Sequence, residues 1–142
     1  MNRAQRAALV AEAHTWIGTP YHHAARIKGV GVDCGQILIG VYAGAGLVEA
    51  FDTGPYAREW HFHHKAELYL AWLQKYMRQV DAPKPGDVAM FRFGHTVSHG
   101  AIVVEWPRVI HSYVRTGCVL ASADDAELKG RVHSFWTLKG RR

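Results

Sequence analysis

The sequence predicts an α+β domain, with helices in its first half packed on an antiparallel sheet of about five strands formed by its second half. Two observations carry this. Apolar residues recur at helical spacing as far as Val80, and the pattern then changes at Pro83-Lys84-Pro85-Gly86 to short strand-like runs divided by turns. No internal repeat, low-complexity segment or linker interrupts the chain. Residues 1–142 are therefore read as one domain with segregated helical and sheet parts.

The first helix is expected over residues 4–17, which are rich in alanine and place Leu9, Ala13, Trp16 and Ile17 at helical spacing. Gly18-Thr19-Pro20 stops it, because proline cannot continue a helix. Residues 21–32 form a loop. Asp33 is placed as a helix cap, and residues 34–45 as a second helix burying Ile37, Leu38, Val41 and Tyr42. Residues 47–61 are irregular, with Gly54-Pro55 as a turn. The clearest helical pattern covers 64–80, where Leu68, Trp72, Tyr76 and Val80 repeat every fourth residue. Five strands follow, at 88–93, 99–105, 108–113, 118–122 and 131–138, with Trp106-Pro107 and Thr116-Gly117 among the turns. Residues 123–128 read as one helical turn before the last strand.

Composition excludes several classes of protein. At 49% hydrophobic residues the chain can bury a core, which argues against intrinsic disorder. Two cysteines and no CxxC pair exclude a disulfide framework and a zinc ribbon. The net charge of +5 is spread along the chain apart from Lys139, Arg141 and Arg142, with no basic stripe interleaved with aromatics. A solvated surface explains it better than nucleic-acid binding. Arg3, Arg6, Glu12 and His14 break any apolar run near the N-terminus, so no secretory signal is expected. The longest uncharged stretch, 35–48, is shorter than the roughly 20 residues a membrane span needs. These features predict synthesis in the cytoplasm with reduced thiols and no membrane insertion.

Chemistry concentrates at Cys34. A thiol at a helix N-terminus lies in partial positive charge, which favours the reactive thiolate. Gly31 and Gly35 beside it would let a substrate chain approach, and local backbone N–H groups could face a developing oxyanion. His99 and His111 stand twelve residues apart in adjacent expected strands, so both imidazoles can meet on one face. A nucleophile, a base and a group that orients the base then make a triad. Each residue also has a plainer reading: a small buried cysteine, and two ordinary strand histidines among the ten in the chain.

Five blocks in order carry a resemblance: Trp16-Ile17-Gly18-Thr19-Pro20-Tyr21, Val32-Asp33-Cys34-Gly35, Pro85-Gly86-Asp87-Val88, Ser98-His99-Gly100-Ala101-Ile102-Val103, and Ile110-His111. Together they resemble the NlpC-type family of cell-wall cysteine peptidases, whose fold is a minimal papain-like α+β domain. The resemblance spans roughly residues 4–113. It is closest to the short branch found in phage tails and gene-transfer-agent clusters, through Gly-Thr-Pro-Tyr and the Lys28-Gly29-Val30-Gly31 run before Asp33-Cys34. It implies Cys34 as nucleophile, His99 as general base and His111 as the orienting residue, with Tyr21, Asp33, Gly35 and Ser98 at the substrate. It further implies hydrolysis of peptidoglycan stem peptides, often between D-γ-glutamyl and diaminopimelate, with no metal or other cofactor. Phage tail-tip or hub proteins are the implied partners and the virion the implied location. One departure stands out: the family usually has Asp-Cys-Ser-Gly, whereas this chain has Asp33-Cys34-Gly35-Gln36. That bears on which bond is cut and whether a free stem amine is required.

Two other functions compete with this one. The same fold could serve as a non-catalytic structural part of a tail tip, or histidines could ligate a hydrolytic metal. His61, His63 and His64 cluster, but neighbours in an extended segment point to opposite faces, and no HExxH motif accompanies them. They are read as a solvated or groove-lining segment. His22 and His23 are placed at the rim, Cys118 in the interior, and Trp60 as an aromatic for substrate contact.

Overall fold

The computed structural model describes residues 1–50 and 71–140. Helix α1 (Arg3–Thr15) is followed by the short strands β1 (Arg26–Ile27) and β2 (Gly31–Val32), helix α2 (Gln36–Gly44), and then β3 (Met77–Val80), β4 (Val88–Phe93), β5 (Thr96–Glu105), β6 (Arg108–Tyr113), β7 (Gly117–Ser122) and β8 (Val132–Leu138). The last six strands form one antiparallel sheet in the order β3-β8-β4-β5-β6-β7. The α+β class holds.

α1 starts where Asn2 and Gln5 form a capping box, each side chain bonding the other's backbone N–H. It ends at Thr15, before the expected Ile17. Leu9, Ala13 and Trp16 then meet Ile37, Leu38, Val41 and Tyr42 from α2 over Val88, Met90, Ile102, Ile110 and Trp136 on one face of the sheet. The strand period of two sends Ala89, Phe91, Ala101, Val103 and Val109 to the other face, beneath Ala123 and Leu128. Gly100 makes this stacking possible, because a Cβ there would lie 2.8 Å from Leu38 Cδ1. Its lack of a side chain lets α2 rest directly on the strand that carries His99.

Arg6 joins the two halves at the point where the sequence pattern changes. Its guanidinium pairs with buried Asp87 at 2.8 Å and donates to the Pro85 carbonyl, while Asp87 accepts the Lys84 N–H at 2.8 Å.

Three expectations are corrected. The helix expected over 64–80 lies partly outside the described residues. Its described part is helical over 71–76, and Met77–Val80 is strand β3. This edge strand pairs with β8, Met77 opposite Leu138 and Val80 opposite Phe135, so long-range pairing overrides local helical spacing. The sheet therefore has six strands. β8 returns beside β4, so only β4 to β7 form a simple meander. Finally, the loop at 21–32 contains the β1–β2 hairpin, and residues 123–128 form hydrogen-bonded turns before β8.

Candidate active site

Two structures converge on Cys34: a loop that presents the thiol and a strand pair that presents two imidazoles. The loop is built on Asp33, which is fully buried. Its Oδ1 accepts the N–H groups of Gly35 at 3.0 Å and Gln36 at 2.8 Å, and its Oδ2 accepts that of Ala24 at 2.9 Å. A buried carboxylate is tolerable when backbone donors surround it in this way. Ala24 itself has φ 59°, so the bond also holds a left-handed residue in place.

These bonds change two expectations. Helix α2 begins at Gln36 with Gly35 as its cap, and Asp33 caps it from two residues further upstream. Cys34 therefore lies in the turn just before the helix, still facing its positive end. The Gly35 and Gln36 N–H groups turn back to Asp33, so they are not donors to an oxyanion. With no exposed surface, Asp33 cannot touch a bound molecule and instead shapes the loop that carries Cys34.

More contacts fasten this loop to the sheet. Ser112 Oγ, fully buried on β6, donates to the Val32 carbonyl at 2.7 Å. The Val32 N–H donates to Pro20 O at 3.0 Å, and Gly18 and Thr19 exchange backbone bonds with Cys118 on β7. Tyr21 bridges Val32 in parallel. The Gly-Thr-Pro-Tyr block is thus a strap between β7 and the Cys34 loop, with Tyr21 at its cleft end.

On the sheet, His99 Nε2 and His111 Nδ1 are 2.8 Å apart, with their rings nearly perpendicular at 86°. His99 is the fourth residue of β5, which starts at Thr96, earlier than expected. Phe93 meets the His99 ring edge-on at 5.3 Å, and Tyr113 stacks on His111 with an interplanar angle of 15°. Burial pushes the His111 pKa down to about 4, against the opposing pull of Glu127 and Asp125. At neutral pH His111 is uncharged, so its Nδ1 can accept a hydrogen bond from His99 Nε2–H. That leaves Nδ1 of His99 as the ring atom for exchange with a thiol.

Tyr21, Cys34, Phe93, Ser98, His99, Ser112, Tyr113 and Val114 enclose a cleft of about 170 Å³. Cys34 is 5% exposed, and its Sγ donates to the Ser98 carbonyl at 3.8 Å. Of the residues singled out in the sequence, Tyr21, Cys34, Ser98 and His99 line this cleft. His111 stands behind His99, and Asp33 and Gly35 lie beneath the loop. Phe93, Ser112, Tyr113 and Val114 were missed. Tyr113 was the one within reach of the sequence, since it follows His111 at the strand period and so shares its face.

Cys118 is buried on β7, and its thiol is pushed up to about 12 by burial, which makes it an inert core residue. His22 is exposed and His23 half-buried. Trp60, His61, His63 and His64 lie outside the described residues. Among the described residues, no three His, Cys, Asp or Glu side chains gather as a metal site, and no helix is long and apolar enough to cross a membrane. A second hollow of about 250 Å³ between Met1, Tyr76 and Leu138 holds neither a cysteine nor a histidine.

The arrangement of helices and antiparallel sheet is that of NlpC/p60 domains. Solved structures bear the likeness out. The NlpC/p60 domain of the peptidoglycan hydrolase SagA matches with a TM-score of 0.59 and 23% identity, over 92% of this chain and 96% of that domain. A lipoprotein-like protein of the NLP/P60 family from Staphylococcus aureus matches with a TM-score of 0.69 and 16% identity, over 99% of this chain but 43% of its own length. The peptidoglycan hydrolase RipB from Mycobacterium tuberculosis matches with a TM-score of 0.63 and 15% identity, over 96% of this chain and 67% of its own. No protein-family model and no curated protein matches the chain in sequence.

Proposed function

We propose that this chain is a cysteine endopeptidase that hydrolyses peptidoglycan stem peptides. The observation that carries the proposal is the cleft that Cys34 shares with His99, whose ring is backed by His111 at 2.8 Å, on a fold shared with peptidoglycan hydrolases. His99 Nδ1 takes the thiol proton, and the His99 imidazolium is held by neutral His111 through Nε2–H. The Cys34 thiolate attacks the scissile carbonyl, and the Tyr21 hydroxyl donates to the oxyanion. The tetrahedral intermediate collapses as His99 returns its proton to the departing amine, leaving a thioester on Cys34. A water molecule, deprotonated by His99, then releases the acyl group as a carboxylate and restores the thiol.

The resemblance of the motif blocks favours the bond between D-γ-glutamyl and diaminopimelate. The likeness of Gly18-Thr19-Pro20-Tyr21 and Lys28-Gly29-Val30-Gly31 to the phage-tail branch favours action from a virion, held by tail-tip proteins. Mass spectrometry of muropeptides incubated with the purified chain tests both activity and bond. New fragments ending at D-glutamate, absent with Cys34→Ala, are the expected result. Full conversion by Cys34→Ala would refute the mechanism.

A further inference from the structure

We infer that Arg131 sets substrate specificity, by binding a carboxylate carried on the peptide next to the scissile bond. The inference rests on the peptidase reading above and adds a residue to it. Phe93 forms one wall of the cleft and touches the His99 ring. On Phe93 lies the Arg131 guanidinium, 4.5 Å from the ring centroid. This is within the range of a cation–π contact.

The position is fixed from the backbone. The Arg131 carbonyl accepts the Arg92 N–H at 2.7 Å, and the Arg131 N–H donates to Leu128 O at 3.0 Å. Gly130, with φ 74°, makes the turn that brings the chain into this place. The side chain is half-buried, and among the described residues no carboxylate pairs with it, in contrast to Arg6 and Arg108. Asp125, six residues before it, is engaged with the Ser122 N–H. A guanidinium stacked on a residue of the cleft wall, with no carboxylate paired to it among the described residues, suits a planar carboxylate, which it can bind through two parallel hydrogen bonds.

The test uses two synthetic stem peptides that differ only in whether the carboxyl group flanking the scissile bond is free or amidated. Wild type is expected to favour the free carboxylate by about tenfold in kcat/KM. Arg131→Gln should erase that preference by raising KM for the carboxylate peptide, with kcat and the amidated peptide little changed. Arg131→Lys should fall between, since it keeps the charge without the fork. Should Arg131→Gln fail to fold, Arg131→Lys decides, because a preference left unchanged by loss of the guanidinium fork overturns the role of Arg131. Equal cleavage of both peptides by wild type, or a preference that survives Arg131→Gln, overturns the role of Arg131 while leaving the peptidase intact. Cleavage of neither peptide overturns the peptidase reading and this inference with it.

Discussion

The two sides of the cleft are held by different forces. His99 is paired on β5 with Phe91 of β4, and His111 on β6 with Val119 of β7, so strand pairing holds each ring. Cys34 sits in a turn secured by side chains bonding to backbone: Asp33 to Ala24, Gly35 and Gln36, and Ser112 to Val32. Strand register is shared over many residues and tolerates single changes. The turn depends on two side chains, so damage there should displace Cys34 before it disturbs the histidine pair.

The largest effect is expected at Asp33. Asp33→Ala strips two buried N–H groups and one part-buried N–H group of their acceptor and should destabilise the protein by about 4 kcal/mol, read from urea unfolding. Asp33→Asn, which keeps one acceptor oxygen, should lose about half of that. A neutral Asp33→Ala would mean that the turn does not need its carboxylate.

The histidine side should respond to pH. The pKa of His111 lies at about 4 in the folded protein, below the ordinary 6.5. Between those values the unfolded chain binds more protons, so stability falls as pH drops from about 6.5 to about 4. At 1.36 kcal/mol per unit the loss approaches about 3 kcal/mol. His111→Asn should flatten this part of the stability curve. It should lower kcat about tenfold, against about a hundredfold for His111→Ala, because asparagine retains an acceptor for His99.

The smallest effect belongs to the link between the two sides. Ser112→Ala removes one buried hydrogen bond and should cost about 1 kcal/mol. Loss of kcat greater than this stability loss would show that Ser112 positions the nucleophile as well as bracing it.

Much of this was legible in the sequence, because it depends on local pattern. The strand periods around His99 and His111 foretold both their strands and their meeting. The Asp-Cys pair at a helix start foretold the cap. What escaped depends on distant pairing. β3 becomes a strand only because β8, more than fifty residues later, supplies its partner. Likewise, nothing local to Asp33 shows that Ala24 claims its second oxygen, or that Phe93 and Val114 close the cleft.

The central claim is that Cys34 is activated by the histidine pair, and Cys118 offers a control within the same molecule. Alkylation by iodoacetamide at neutral pH, followed site by site with mass spectrometry, tests it directly. Cys34 should react at least about tenfold faster than Cys118, whose thiol is pushed up to about 12. The advantage should shrink in His99→Ala. Equal rates for the two cysteines, or a Cys34 rate indifferent to the loss of His99, would contradict the account.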